Sequence, residues 1–187
     1  MHCSPLKRIR LRAKWREAAK TPGTFANTAL LARRMVERGV RFVQIYHNNW
    51  DTHANVSGRL PDQCRDVDQP CYGLIQDLKQ RGMLDDTLIL WTTEFGRMPS
   101  SQGGKGRDHN PYCFTNWLCG GGIKGGQVVG SSDEIGAYPK DRPVTPGEVA
   151  ATMMRSLKID LDTELPSLQG CPIRVVEQGV NPISELF

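Results

Sequence analysis

The sequence lacks any long apolar run. A helix that crosses a membrane needs about 20 consecutive apolar residues, and the longest runs here are only a few residues long. Hydrophobic residues make up 39% and charged residues 24% of the 187 residues, which is an ordinary globular composition. We therefore expect no membrane span and a chain long enough to form one domain or a large part of one.

Several catalytic and binding motifs are also absent. The six cysteines include no CxxC pair, which argues against a zinc ribbon, and their irregular spacing leaves the question of disulfides open. No GxSxG motif is present, so serine hydrolysis with a nucleophile elbow is not expected. Glycines surround Lys105, but Gly106 follows that lysine where a phosphate-binding P-loop needs Ser or Thr.

Positive charge is concentrated at the amino terminus. The whole chain carries +4 and residues 1–20 carry +6, so residues 21–187 carry −2. The basic segment has no apolar stretch of the length that a secretory signal requires. We interpret residues 1–23 as a solvated, poorly ordered leader. A nucleic-acid-binding arm is the alternative, but no nucleic-acid partner is expected.

Apolar spacing predicts helices that alternate with strands. Helices are predicted over residues 26–38, ending at Gly39, and over residues 63–82. VRFVQIY (40–46) and TLILWTT (87–93) are rich in β-branched and aromatic residues, as buried strands are. Two helix-then-strand units in succession favour an α/β fold, a three-layer sandwich with a largely parallel sheet.

The second half of the chain continues with shorter elements. Residues 99–111 are rich in Gly, Ser and Pro and predict a loop, after which residues 112–123 predict a strand that runs into glycines. Residues 125–143 predict a hairpin or an extended excursion. A threonine cap at Thr145, followed by proline and then glutamate, predicts the start of a further helix.

Acidic and histidine side chains follow the predicted strands. Asp51 and His53 come after the first strand, Glu94 after the second, and His109 lies in the loop before the third. Loops at the carboxyl ends of parallel strands converge on one crevice, and zinc, calcium and manganese accept carboxylate or imidazole ligands. The pattern predicts that Asp51, His53, Glu94 and His109 bind a divalent metal of unknown identity.

Each of these residues also has a simpler interpretation. Asp51 could cap a turn, with its side chain hydrogen-bonded to a nearby backbone group. His53 and His109 could be ordinary surface residues. Asp51 and Glu94 could act as a pair of carboxylates in glycoside hydrolysis, although the neighbouring histidines favour a metal. A carboxylate such as Glu94, at the end of a strand buried on both faces, needs a cation or hydrogen-bond donors.

Basic residues in the same loops suggest an anionic ligand. Arg97 and Arg107 can pair with phosphate or sulfate oxygens in a bidentate fork, or they can form ion pairs with Glu94 or Asp108. With Lys105, these arginines also suggest an alternative function: a non-catalytic module that binds a sulfated polysaccharide or a cell-surface partner.

Three motifs, NWDTHAN, TEFGRMP and GRDHNP, occur in this order along the chain. Together they resemble the domain-of-unknown-function 1501 family, which comprises secreted or periplasmic bacterial proteins related to the alkaline phosphatase and sulfatase superfamily. The segments LLARRMVERGVRFVQIYH and LIQDLKQRGMLDDTLILWTTEFGR and the closing NPISELF extend the resemblance to residues 24–187.

The resemblance implies an alkaline phosphatase or sulfatase-like fold that hydrolyses sulfate or phosphate esters with a divalent metal. By matching motifs, the metal contacts fall on Asp51, His53, Glu94 and His109. Contacts to the substrate or to the metal ligands fall on Asp108, Arg97 and Arg107.

The resemblance also implies that part of the site lies outside this chain. Family members are expected to be much longer, with the nucleophile and further ligands in an amino-terminal half that contains a Gly-Gly-Pro-Ser-His-like segment. We therefore expect residues 24–187 to be a carboxyl-terminal half with an incomplete sheet, inactive by itself. Residues 1–23 are expected to be foreign to the family.

Overall fold

A computed structural model describes residues 15, 17–168 and 170–187. The chain divides into two compact units, Met1–Met83 with Ser100–Asp108, and Leu84–Pro99 with His109–Phe187. None of the helices in the described ranges combines the length and apolar character that a bilayer crossing requires.

The first unit is built on two helices, α1 (Phe25–Glu37) and α2 (Val56–Gln80). The Thr24 hydroxyl caps α1 by accepting a hydrogen bond from the Asn27 N–H at 3.1 Å. Gly39 follows the helix with φ +86°, a left-handed conformation that glycine adopts without strain. The predicted helix over residues 26–38 is confirmed.

Helix α2 begins at Val56, well before residue 63, where the apolar spacing placed its start. The predicted start is wrong: the helix begins seven residues earlier, and Pro61 and Pro70 both lie inside it. Proline has a φ near the helical value, but inside a helix it loses its own N–H bond and its ring crowds the carbonyl four residues earlier. Burial of Val67 and Leu78 helps to offset that loss.

The segment between the helices forms no strand, so the buried strand predicted over residues 40–46 is wrong. Val43 and Ile45 are half-buried, whereas Phe42 is 69% exposed and Tyr46 is 79% exposed. A strand is defined by ladder hydrogen bonds to a neighbour. Within residues 15, 17–168 and 170–187, no other segment pairs with this one.

A buried ionic network joins α1 to the end of α2. Arg33 and Asp77 are only 7% and 8% exposed, and Arg33 Nε lies 3.0 Å from Asp77 Oδ2. Arg81 Nε lies 3.2 Å from the same oxygen, and Arg81 Nη1 lies 2.8 Å from Glu37 Oε1. Arg33 also pairs with Glu37. Each buried charge therefore has an opposite charge beside it.

Part of the basic leader packs into this unit. Trp15 and Ala19 are 3% and 2% exposed and form a cluster with Ala26. Gly73 of α2 makes room for the indole, since a Cβ there would come within 2.4 Å of ring carbons of Trp15. The leader expected to be poorly ordered comprises residues 1–23; residues 1–14 and 16 lie outside the described residues, whereas Trp15 and Ala19 are buried.

The second unit begins with two antiparallel strand pairs. Strand β1 (Ile89–Trp91) pairs with β4 (Trp117–Cys119), and β2 (Gly96–Arg97) pairs with β3 (His109–Asn110). The Trp91 and Trp117 rings stack across the first pair, with centroids 6.0 Å apart. The strands predicted within residues 87–93 and 112–123 are confirmed in shorter form.

Two further pairs follow. Strands β5 (Ser131–Ser132) and β6 (Pro139–Asp141) form the hairpin predicted within residues 125–143, and β7 (Glu164–Leu165) pairs with β8 (Ile173–Arg174). In the described part of the chain every ladder is two-stranded and antiparallel. The three-layer sandwich with a largely parallel sheet stays a prediction.

Helix α3 (Pro146–Ser156) begins with the predicted capping box. The Thr145 hydroxyl accepts a hydrogen bond from the Glu148 N–H at 3.2 Å, and the Glu148 carboxylate accepts one from the Thr145 N–H at 2.8 Å. Farther along, the fully buried Thr152 accepts a hydrogen bond from the Ile183 N–H at 2.9 Å. This bond ties the carboxyl-terminal segment, with its 3₁₀ turn Ser184–Leu186, to α3.

Arg142 connects the same two segments. Its Nη1 lies 2.8 Å from Glu148 Oε1, and its Nε donates to Glu185 Oε1 at 2.7 Å. The hydrogen bond from Arg142 is the largest cause that lowers the pKa of Glu185 to about 2. The pKa of Glu148 is also lowered, mainly by the hydrogen bond from the Thr145 backbone.

Replacement of Asp77 by Ala removes the carboxylate beside the buried guanidinium of Arg33. We expect a loss of about 3–5 kcal/mol in the free energy of unfolding. Asp62→Ala is the matched control on the same helix, because the Asp62–Arg65 pair is exposed. Its expected loss is no more than about 1 kcal/mol. Urea denaturation measures both, and equal losses would contradict the role of the buried pair.

Because the pKa of Glu185 is lowered, its ionised form stabilises the fold at neutral pH, and that contribution disappears as the pH falls from about 5 towards 2. The melting temperature of the wild-type protein should exceed that of Glu185→Gln at pH 6, and the difference should shrink over this range. Glu134→Gln is the control, since no described residue forms an ion pair with Glu134. A difference that does not change with pH would count against the Arg142 pairing.

Candidate functional site

The loop at residues 50–55 lies immediately before α2 and is anchored by His47. The Trp50 indole N–H donates to His47 Nδ1 at 2.8 Å. The His47 ring meets Phe25 of α1 edge-on with centroids 5.3 Å apart, and its Nε2 lies 3.9 Å from Asp66 Oδ2 of α2. The loop is therefore held between both helices.

A second loop, residues 100–108, is fastened to the first by two backbone hydrogen bonds. The Val56 N–H donates to the Lys105 carbonyl at 2.9 Å, and the Arg107 N–H donates to the Thr52 carbonyl, also at 2.9 Å. Thr52 is only 6% exposed, so this contact is shielded from water. The two loops consequently form one backbone scaffold within the first unit.

Gly106 allows this close approach. A Cβ at Gly106 would lie 1.9 Å from the carbonyl oxygen of His53, far inside van der Waals contact. The Gly106 N–H also donates to the Ser101 hydroxyl at 3.2 Å. The contact between the Gly106 and His53 backbones explains why a glycine occupies this position of the GGKGRD segment.

His53 lies between two carboxylates that come from the two loops. Its Nε2 is 2.9 Å from Asp51 Oδ1, and its Nδ1 is 3.6 Å from Asp108 Oδ1. The other oxygen of Asp108 accepts a hydrogen bond from the Gln102 N–H at 2.9 Å, which fixes that carboxylate. The structure therefore brings Asp51, His53 and Asp108 together.

These three side chains remain accessible to solvent. Their exposed fractions are 62% for Asp51, 51% for His53 and 37% for Asp108. Ion pairs at such exposed positions contribute only about 0–1 kcal/mol to stability. The group therefore adds little to the stability of the fold, and a ligand can reorganise it at small cost.

The arrangement satisfies a simple geometric test for a shared metal. A carboxylate oxygen and an imidazole nitrogen bound to the same tetrahedral zinc lie about 3.3 Å apart, given metal–ligand distances near 2 Å. Asp51 Oδ1 and His53 Nε2 need to separate by only a few tenths of an ångström from 2.9 Å to reach that spacing. Metal-bound histidines commonly turn their second nitrogen towards a carboxylate, as His53 does towards Asp108.

The other predicted site residues belong to the second unit. His109 of β3 lies opposite Arg97 of β2, and its ring centroid is 4.3 Å from that of Phe95. The Arg97 guanidinium lies over the same ring at 5.6 Å. Glu94 is exposed and accepts a hydrogen bond from the Thr93 hydroxyl at 3.2 Å.

The premise that Glu94 ends a fully buried strand is wrong, because β1 is only half-buried and ends at Trp91. The predicted metal ligands thus belong to both units, Asp51 and His53 to the first, Glu94 and His109 to the second. Their assignment as one metal site stays a prediction.

The chain belongs to the family described as a protein of unknown function (DUF1501), whose family model matches residues 9–187. The family that the three motifs suggested is confirmed. The match begins at residue 9, fifteen residues before the motif resemblance, and so includes much of the basic leader. No curated protein and no solved structure matches the chain significantly.

Sequence reasoning assigned no part in the site to two residues that shape it. His47 directly follows the predicted first strand and has no part in the predicted metal site, but it anchors Trp50. Gly106 was considered only as part of a failed P-loop, whereas it permits contact with the His53 backbone. Gly106 lies two residues before Asp108 within the GRDHNP motif, and this position is the sequence signal that points to a role in the site.

Gly106→Ala should push the two loops apart, because the new Cβ cannot occupy the space of the His53 carbonyl. We expect faster amide hydrogen exchange at Val56 and Arg107, whose N–H groups form the bonds between the loops. Gly103→Ala is the control, since a Cβ there would meet the same carbonyl oxygen at an ordinary 3.9 Å. Unchanged exchange in Gly106→Ala would contradict the close approach.

Proposed function

We propose that the protein is a metal-dependent hydrolase of sulfate or phosphate esters, of the alkaline phosphatase and sulfatase type. The supporting observation is the position of His53, exposed between the carboxylates of Asp51 and Asp108. These residues come from WDTH and GRDH, two of the motifs that carry the resemblance.

In this proposal Asp51 Oδ1 and His53 Nε2 bind the divalent cation. Asp108 would accept a hydrogen bond from the His53 Nδ1–H once the present 3.6 Å separation shortens, and it would so orient Nε2 towards the metal. The imidazole favours zinc over calcium, while the carboxylates are compatible with either. Glu94 and His109 remain predicted ligands, and variants at both positions test them.

When bound, the cation would act as a Lewis acid on the ester oxygens. The chain itself supplies positive charge beside the candidate ligands. Lys105 is exposed, and Arg107 immediately precedes Asp108 in the same loop. Cationic side chains at the rim of a site attract an anionic ester and help to orient it.

We further propose that this chain corresponds to the carboxyl-terminal half of such an enzyme, secreted or periplasmic in its full form. The nucleophile and further ligands would come from the amino-terminal half. Residues 40–46 support this idea, since they have the composition of a strand but find no ladder partner among the described residues. A segment outside this chain could provide that partner, and the chain alone should show no turnover.

The alternative is a non-catalytic module that binds a sulfated polysaccharide. The exposed Lys105 and the neighbouring Arg107 favour it, because they lie in one glycine-rich loop. Such binding needs no metal. The two proposals therefore differ in their response to a chelator.

If Asp51 and His53 are ligands, Asp51→Asn and His53→Ala should each lower zinc affinity at least about tenfold, and Asp108→Asn should lower it by about 10- to 100-fold by releasing His53. Equilibrium dialysis against zinc, manganese and calcium, followed by elemental analysis, measures this. Asp62→Asn changes an exposed carboxylate outside the loops and should have no effect.

Metal content that is unchanged in Asp51→Asn and His53→Ala would contradict the metal site. Retention on a heparin column after chelation, lost in Lys105→Gln but kept in His53→Ala, would favour the binding module instead. A longer family member that binds metal and hydrolyses aryl sulfate or aryl phosphate would support the hydrolase.

A further inference from the structure

The first unit contains a cavity of about 420 Å³ that is separate from the candidate metal site. It lies between Trp15, residues 19–20, helix α1 and the end of α2. Its apolar lining comes from Trp15, Ala19 and Leu30, the first two of them almost fully buried. A cavity of this size and lining suits a small organic ligand.

The polar lining of the cavity is mainly cationic. Four basic residues contribute to it against one carboxylate, Asp77: Lys20, Arg33, Arg34 and Arg81. Arg33 and Arg81 pair with Asp77, whereas Arg34 forms no ion pair with any described residue. Arg34 is therefore the cation best able to meet an anion from outside.

The indole ring of Trp15 contributes apolar surface to the same cavity. The indole N–H of Trp15 is buried and has no acceptor among the described residues. Because its nitrogen is shielded, a ligand in the cavity would meet the ring and not the N–H. The contact of Trp15 with Gly73 fixes the ring in place.

We infer that this cavity binds an amphipathic organic anion, with an aromatic or short aliphatic body and a single sulfonate, sulfate or carboxylate group. The apolar body would pack on Trp15 and Leu30, and the anionic group would pair with Arg34. The charged side chains of residues 1–14 are all basic, so that segment does not match the charge of the cavity.

This inference does not depend on the proposed metal site, because Asp51, His53 and Asp108 do not line the cavity. A loss of zinc binding would leave it unaffected. Failure of one proposal is therefore distinguishable from failure of the other.

Isothermal titration calorimetry with naphthalene-2-sulfonate and 2-naphthalenemethanol tests the inference, since the two probes share a ring system and differ in charge. The sulfonate should bind roughly tenfold more tightly, as one charge-assisted hydrogen bond is worth about that factor. Arg34→Gln should remove most of this advantage. Arg38→Gln, an exposed arginine after α1 that does not line the cavity, should leave it unchanged.

Trp15→Phe keeps an aromatic ring but offers less apolar surface, and it should weaken the binding of both probes by a similar factor. Circular dichroism checks that this variant folds. Arg34 is exposed, so Arg34→Gln should fold normally. Its sulfonate affinity therefore tests the inference even if Trp15→Phe does not fold. Equal affinities for the two probes, or equal sulfonate affinities for Arg34→Gln and Arg38→Gln, would overturn the inference.

Discussion

The ion pair between Arg33 and Asp77 governs the geometry of the whole first unit. A guanidinium that is 7% exposed requires an opposite charge beside it, so α1 and the end of α2 must stay in contact. The chain that connects the two helices carries the candidate metal ligands, and the same contact forms one wall of the cavity. Both proposed sites therefore rely on one buried electrostatic contact.

In the candidate metal site the backbone fixes the geometry, and the side chains would bind the ligand. The scaffold is backbone, with hydrogen bonds to the carbonyls of Thr52 and Lys105 and a close approach at Gly106. The chemistry is carried by exposed side chains that contribute little to stability. Side chains such as His53 and Asp108 can therefore change without disturbing the backbone, whereas a side chain at Gly106 would push the two loops apart. Rigid backbone beneath accessible side chains is the arrangement that precise ligand binding needs.

Local features were predictable from the sequence, and features that depend on distant partners were not. Helix α1 and the capping box at Thr145 follow from residues within a few positions of each other, and both predictions are confirmed. The strand over residues 40–46 failed because β composition does not supply a neighbour. The motifs identified Asp51, His53 and Asp108, but their contact depends on two loops about fifty residues apart in sequence.

Residues 40–46 have a practical consequence for handling the protein. Phe42 and Tyr46 project into solvent from a chain segment of high β propensity. Such a segment is a template for intermolecular strand pairing. The solubility of the folded protein should therefore depend on this short segment and not on the free energy of unfolding. A solubility screen should therefore target its two aromatic residues before the helices.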